Sequence, residues 1–445
     1  MSSFLSKILD RLVRLGPFSC LVLAVKRLAA LAVRAVTLAL RLVMALLNAT
    51  VFRWCLRAAK IIDYPFRALI KRWYMQSVPI RDNRVVLITF QGTFTCNPRM
   101  IAEELLSAPE DYDLVWVVKD DAPVGDYPLG LRFVRYDTLP FYRELAGARV
   151  IVENTNILER LQVRKKPGQT VIQTWHGSLG IKRLDGDVVR GLRWDILARR
   201  ARETVDCMLC DSDFDVDVFR GAYWKDAPEY LMTGHPRNDI FFWPEDRKRA
   251  VVEKVYRTLG IAPEKKLFLY APTHSDTLDA SFTALPYEKL ARALHDRFGG
   301  EWQIVVRVHN RLKKQSRAWF RTLPDCVSDA TMYDDMQDIL VAAEAGLTDY
   351  SSWIFDFMLT YKPAFVITLH YDVFAANRGF YYPLESTPFP IAPDVKTLLH
   401  NIRAFDDAAY RPAVAAFLAS KGCMEDGQAS ARTAEKIRAL THPAP

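Results

Sequence analysis

Long uncharged runs are missing from the one region of this chain apolar enough to hold them. Within residues 1–75 the longest uncharged stretches, Leu15–Val25 and Leu42–Phe52, have eleven residues each. A bilayer-spanning helix needs about 20, so no transmembrane helix is expected. Lys and Arg also interrupt what would be the apolar core of a signal peptide. Cysteine is sparse, with seven widely spread residues, an odd number. That argues against a secreted disulfide framework and for a reducing cytoplasm. Cys207 and Cys210 form a CxxC, but they sit in a strand-like apolar run without a second Cys or His pair and read as structural. HExxH and paired CxxC elements are absent. So are GxGxxG and GxxxxGK, which removes dinucleotide-binding and P-loop readings.

Basic charge is missing from most of the chain. The net charge is +8 over 445 residues, yet residues 1–75 hold thirteen Lys or Arg against two acids, a surplus of eleven. Residues 76–445 therefore carry −3. A nucleic-acid-binding protein needs a basic body, so no nucleic-acid partner is expected.

What is present at the start is a helical pattern. Arg27, Arg34 and Arg41 repeat every seven residues, which keeps them on nearly one helical stripe. Residues 1–78 read as a basic amphipathic region lying on an anionic membrane surface. Phe52, Trp54, Tyr64, Phe66, Trp73 and Tyr74 suit the interface. The expected location is peripheral, on the cytoplasmic face of the cell membrane. The competing reading is a helical hairpin packed on the body or on a second subunit of a homo-oligomer.

After Pro79 short apolar runs alternate with helical stretches. The runs 85–90, 114–119, 131–136, 149–154, 170–175 and 207–212 suit buried parallel strands. A second series at 267–272, 302–309, 346–352 and 363–368 follows a charged helix at 245–259. The pattern predicts an α/β protein with two Rossmann-like doubly wound domains, 79–242 and 243–445, and ligands in the cleft between them.

Polar clusters follow the predicted strands. His176 leads into Gly177 and Ser178, with Lys182 and Arg183 close behind. Neutral imidazole can take a hydroxyl proton near pH 7, and amides with cations nearby hold phosphate oxygens. A structural His in a turn is the equal alternative. Arg237 is a candidate phosphate contact, while Asn238 or Asp239 suits a helix cap. Thr273 ends another strand. Arg307 and His309 share one side of theirs by alternation. Ser351 and Ser352 open a helix, where they serve as caps or phosphate donors, with Asp349 holding the turn and Asp356 following. Asp372 and Arg378 lie in a loop at the expected cleft edge.

In this order the segments TWHG (174–177) with Lys182, GHPRND (234–239), LYAPT (269–273), RVH (307–309), TDYSSWIFDF (348–357) and RGFY (378–381) resemble the CDP-glycerol glycerophosphotransferase family of teichoic-acid and capsule synthesis. The resemblance covers about residues 80–400. It implies a GT-B-type fold, with the donor's CDP in the second domain and a polymer or lipid-linked glycan acceptor in the first. His176 and His309 fall on the family's catalytic histidines. Ser351, Ser352 and the nearby carboxylates fall on its CDP-polyol site. The chain departs from the family in having Ser-Leu-Gly-Ile between WHG and Lys182, one residue longer than usual. His235 is also not a family site residue.

The expected reaction moves glycerol phosphate from CDP-glycerol to the acceptor and releases CMP. The alternatives are a CDP-ribitol donor, a GT-B glycosyltransferase using a nucleotide sugar, and a non-catalytic scaffold. No cofactor is firmly implied, and Mg2+ enters only as a screening ion for the donor diphosphate.

Overall fold

Strand β1 (Arg84–Ile88) is buried at every position, and alternation sends its side chains into two separate cores. Val85 and Leu87 join the core formed with Ile101, Leu105 and Ile437. Val86 and Ile88 join the core formed with Phe141, Tyr142 and Leu145. A strand apolar on both faces has to be covered by helices on both faces, the signature of a parallel sheet.

The computed structural model describes residues 71–443 except 91, 120–126, 162, 189–190, 225–227, 274–284, 309–311 and 370, together with 28, 31–33, 35, 36, 38 and 69. The chain falls into two compact units, Met1–Arg72 and Trp73–Pro445. The described residues of the first unit are helical. Most of the expected amphipathic region 1–78, including Arg27, Arg34 and Arg41, lies outside the described residues. Among the described residues no helix is long and apolar enough to cross a membrane.

The second unit holds two sheets, parallel throughout. The first contains β1, β2 (Asp113–Val118), β3 (Arg132–Arg135), β4 (Val150–Glu153), β5 (Thr170–Gln173), β6 (Cys207–Cys210) and β7 (Glu229–Met232), in the order 3-2-1-4-5-6-7. The second contains β8 (Lys266–Tyr270), β9 (Trp302–Val306), β10 (Val327–Asp329), β11 (Ala343–Thr348), β12 (Ala364–Ile367) and β13 (Ile391–Ala392), in the order 10-9-8-11-12-13. Each order reverses once, at β1/β4 and at β8/β11, and such switch points open a crevice at the strand C-termini. The arrangement is of the GT-B type. Strands β10 and β13 were not expected. Both are edge strands of three residues or fewer, too short to show a period.

Six helices matter for the site: α1 (Cys96–Ser107), α2 (Asp213–Phe219), α3 (Glu245–Leu259), α4 (Met336–Ala342), α5 (Trp353–Met358) and α6 (Ala429–Thr441). Helix α3 is the expected charged helix. Glu245 and Asp246 lie in its first turn, and Gly260 closes it at φ 65°, a left-handed conformation cheap only for glycine. Helix α6 follows the second sheet in sequence, but its Ala434 and Ile437 are buried in the first sheet's core. Asp239 fixes it there. The carboxylate accepts from the amides of Ala429 (3.0 Å) and Ser430 (2.7 Å). The cap expected of Asp239 therefore serves the last helix rather than the next one.

Gly346 on β11 packs directly against the Trp353 and Phe357 rings of α5. A Cβ there would stand 2.8 Å from Trp353 Cη2 and 3.5 Å from Phe357 Cε1. Trp353 is held in place by its indole N–H on the Ala271 carbonyl at 2.6 Å. Gly346→Ala should therefore cost about 1–3 kcal/mol through overpacking, read as a lowered thermal midpoint. An unchanged midpoint would show that the Trp353 ring has room to shift.

Candidate active site

The C-terminal ends of the central strands from both sheets meet at one cavity of about 360 Å3. From the first sheet come Phe90 after β1, Asn154 after β4, and His176 and Lys182 after β5. From the second come Ala271 and Pro272 after β8, Arg307 after β9, and Ser351 and Ser352 after β11. A larger cavity of about 700 Å3, lined by Arg164, Lys165 and Lys166 among others, gathers none of these strand ends.

His176 is exposed on the cavity wall. Its Nδ1 lies 2.7 Å from the Asn154 carbonyl. A carbonyl only accepts, so Nδ1 carries the proton and Nε2 keeps its lone pair. Asn154 is itself pinned, because its side chain accepts from the Phe90 amide at 2.9 Å. Desolvation first, then Arg237, Arg160 and Lys182, hold the His176 pKa down to about 4. The imidazole is therefore neutral near pH 7, the state a proton acceptor needs.

The loop bearing His176 is strained. Trp175 and Leu179 have φ of 52° and 49°, in a region that costs of order 1–3 kcal/mol for residues with a side chain. Buried amides hold the strain. Gln173 accepts from the Trp175 amide at 3.0 Å and donates to Glu153 at 3.1 Å. Asn97 donates to the carbonyls of Thr174 (3.0 Å) and Trp175 (3.1 Å) and accepts from the Arg237 amide at 3.0 Å. The loop then meets Ser352, which follows β11 of the second sheet. A Cβ on Gly177 would lie 3.1 Å from Ser352 Oγ, and one on Gly180 would lie 3.2 Å from Ser352 Cβ.

Several expected substrate contacts turn out to hold one another. Arg237 makes a two-pronged ion pair with Asp356, at 2.9 Å on each arm. Gln337 donates to the same carboxylate at 2.8 Å, Asn238 at 3.4 Å and Ser178 at the long distance of 3.5 Å. Burial works against the Arg237 cation and Asp356 outweighs it, so its pKa lies above the ordinary value. The guanidinium is 2% exposed. Among the described residues Nη1 has no hydrogen-bond partner, and Arg237 lines the cavity. Thr273 and Asp349 likewise bond to each other, through the Thr273 amide (2.7 Å) and hydroxyl (2.6 Å).

Arg307 and His309 need correction as a strand pair. β9 ends at Val306, so alternation does not extend to them, and His309 lies outside the described residues. Arg307 donates to the carbonyls of Tyr333 (3.0 Å) and Asp334 (3.1 Å) at the cavity rim. Asp372 is not brought to this cavity. It lines another, of about 580 Å3, with Tyr371 and Glu385. Arg378 donates to the Arg183 carbonyl at 2.9 Å. Its neighbours clamp the loop after His176, with Tyr381 N on the Ile181 carbonyl at 2.8 Å and the Tyr382 hydroxyl on the Leu179 carbonyl. The 378–382 segment, which follows β12 of the second sheet, therefore clasps the loop after β5 of the first. Ser352 precedes a helix of only six residues and makes no side-chain cap.

Asn97, Asn154 and Gln173 were missed by sequence reasoning. Asn154 alone gave a signal, since it directly follows a strand at the switch point. A second missed group is buried below the loop: Asp211 after β6, Asp215 in α2 and His235 after β7. Burial pushes both carboxyls up to about 7 and His235 down to about 4.

The model of the family described as CDP-glycerol:poly(glycerophosphate) glycerophosphotransferase matches residues 71–439. The teichoic acid poly(glycerol phosphate) polymerase of Staphylococcus epidermidis is 26% identical over 79% of this chain and 50% of that protein. The chain thus spans about half the length of that relative. The teichoic acid glycerol-phosphate transferase of Staphylococcus aureus is 26% identical over 85% of this chain and 98% of that protein. The wall teichoic acid polymerase TagF, a solved structure, has the same fold. Its TM-score is 0.71 at 24% identity, over 88% of this chain and 98% of the other. The chain belongs to the CDP-glycerol:poly(glycerophosphate) glycerophosphotransferase family.

Proposed function

We propose that this chain transfers glycerol phosphate from CDP-glycerol to a polymer or lipid-linked glycan acceptor, releasing CMP, in the synthesis of a teichoic-acid-like or capsular polymer. The observation that carries the reading is His176, a neutral imidazole with its Nε2 lone pair available, in a cleft that also holds Lys182, Arg237 and Arg307. An anionic diphosphate needs those cations, and a hydroxyl nucleophile needs that base.

The reaction then runs as one displacement. The acceptor oxygen bonds to the phosphorus that bears the glycerol, the bond from that phosphorus to the CMP oxygen breaks, and the hydroxyl proton passes to His176 Nε2. Phosphoryl transfer of this kind asks the protein mainly for positioning and charge stabilisation. Arg307 and Lys182 meet the diphosphate, with Ser351 and Ser352 beside it. His309 is the second catalytic histidine of the reading, on the strength of the family motif alone. Thr273, Asp349, Asn238, Asp356 and Ser178 act by holding the walls rather than by touching the donor.

The same proposal divides the chain into a membrane-associating region at 1–78, an acceptor domain at 79–242 and a donor domain at 243–445. It seats the first on an anionic membrane surface, at the cytoplasmic face. Donor choice is tested by presenting purified protein with CDP-glycerol and CDP-ribitol at equal concentration. Preference for CDP-glycerol in kcat/KM supports the proposal, and a preference for CDP-ribitol keeps the chemistry but replaces the polyol.

A further inference from the structure

Asp211, Asp215 and His235 come from three different elements, and each offers a ligand atom within 4.8 Å of the others. Their relative exposures are 1%, 2% and 0%. His235 Nε2 lies 3.2 Å from Asp215 Oδ2, while the other Asp215 oxygen accepts from the Leu179 amide at 3.1 Å. Asp211 brings its carboxylate to the same space, and its Oδ1, fully buried, has no hydrogen-bond partner among the described residues. Glu425 stands alongside. Its Oε1 accepts from the His235 amide (2.9 Å) and from Asn238 (3.0 Å), and its buried Oε2 is also without a partner among the described residues.

This is a large concentration of buried acid. The nearby guanidinium, Arg237, is committed to Asp356, a fourth carboxylate. Buried carboxylates are costly unless paired, protonated or bound to a metal. An imidazole nitrogen with two carboxylate oxygens from separate elements is a donor set for a first-row divalent ion. Ca2+ and Mg2+ prefer oxygen alone, whereas imidazole suits Zn2+ and its neighbours.

We propose that Asp211, Asp215 and His235 form a structural site for a divalent transition metal of the Zn2+ class. The ion would tie β6, α2 and the turn after β7 together directly beneath the strained loop, because Asp215 also holds the Leu179 amide and Arg237 lies two residues beyond His235. Its role is to fix the interdomain junction, and it takes no part in the transfer step. The inference does not depend on which polyol is transferred.

The test uses the full chain, purified without chelator. Elemental analysis should find close to one Zn2+-class ion per chain. After chelation, added Zn2+ should raise the thermal midpoint. Added Co2+ should give the visible absorption of a low-symmetry site with nitrogen and oxygen ligands. His235→Gln and Asp211→Asn should weaken Zn2+ binding by more than ~100-fold, beyond the ~10–100-fold typical of losing an outer-shell partner. The wild-type measurements stand on their own if either variant fails to fold. Protein without metal, unmoved by Zn2+ and silent with Co2+, would overturn the proposal and leave shared protons as what neutralises the cluster. Equal Zn2+ binding by a folded His235→Gln variant would overturn it as well.

Discussion

Replacing His176 with Ala should lower CMP release from CDP-glycerol by 10²–10⁴-fold, the usual range for a lost general base, without unfolding the protein. The side chain is exposed in the cleft and, among the described residues, hydrogen-bonds to a main-chain carbonyl, so its removal orphans no buried side chain. The pH dependence carries a second signature. A base must be deprotonated to act, so the rate rises with pH through its pKa. In the free enzyme that value is about 4, and kcat/KM reports the free enzyme. The acid limb assigned to His176 should therefore lie below the ordinary histidine value of about 6.5. It should disappear in His176→Ala. A wild-type limb near 6.5 that vanished in the variant would keep His176 as the base but remove the desolvated environment described for it.

Breaking the Arg237–Asp356 pair should damage stability as severely as losing His176 damages rate. Both side chains are buried, at 2% and 7% exposure, and they join the segment after β7 to helix α5 of the other sheet. Removing one partner strands the other charge, which costs about 3–5 kcal/mol. Arg237→Met and Asp356→Leu should each lower the unfolding midpoint markedly. The double variant, with no stranded charge, should lose less than the two single losses combined. A purely donor-contacting Arg237 gives a different pattern, in which Arg237→Met weakens CDP-glycerol binding and leaves the midpoint unchanged.

Much of the framework is legible in the chain because it rests on local physics. Val85–Ile88 and Ile304–Val306 are apolar on both faces, and such runs have few places to go except the middle of a parallel sheet. Glu245–Leu259 has acids at its start and a glycine just past its end, and it is a helix with those bounds. The position of His176 follows from being the third residue after a central strand. Partnerships between distant polar residues are not local. Arg237 and Asp356 are 119 residues apart, and Asp239 caps a helix about 190 residues away. Short-range signals cannot distinguish an Arg that will meet phosphate from one that will meet Asp356. The same limit hid Asp211, Asp215 and His235, which lie on three elements and share no motif spacing. It also misplaced Asp372 and Arg378. Asp372 lies not in a loop but in the first turn of a helix, Tyr371–Asn377, at another cavity, and Arg378, just past that helix, donates to a carbonyl.

Transfer of glycerol phosphate from CDP-glycerol is tested most directly by the stoichiometry of a single incubation. Purified protein is given CDP-glycerol labelled in the glycerol and a crude lipid-linked acceptor, and CMP and acceptor-bound label are counted together. CMP and acceptor-linked glycerol phosphate should appear in equal amounts, with neither formed when acceptor is omitted. Inertness toward CDP-glycerol, with release of a nucleoside diphosphate from a sugar donor instead, would contradict that transfer.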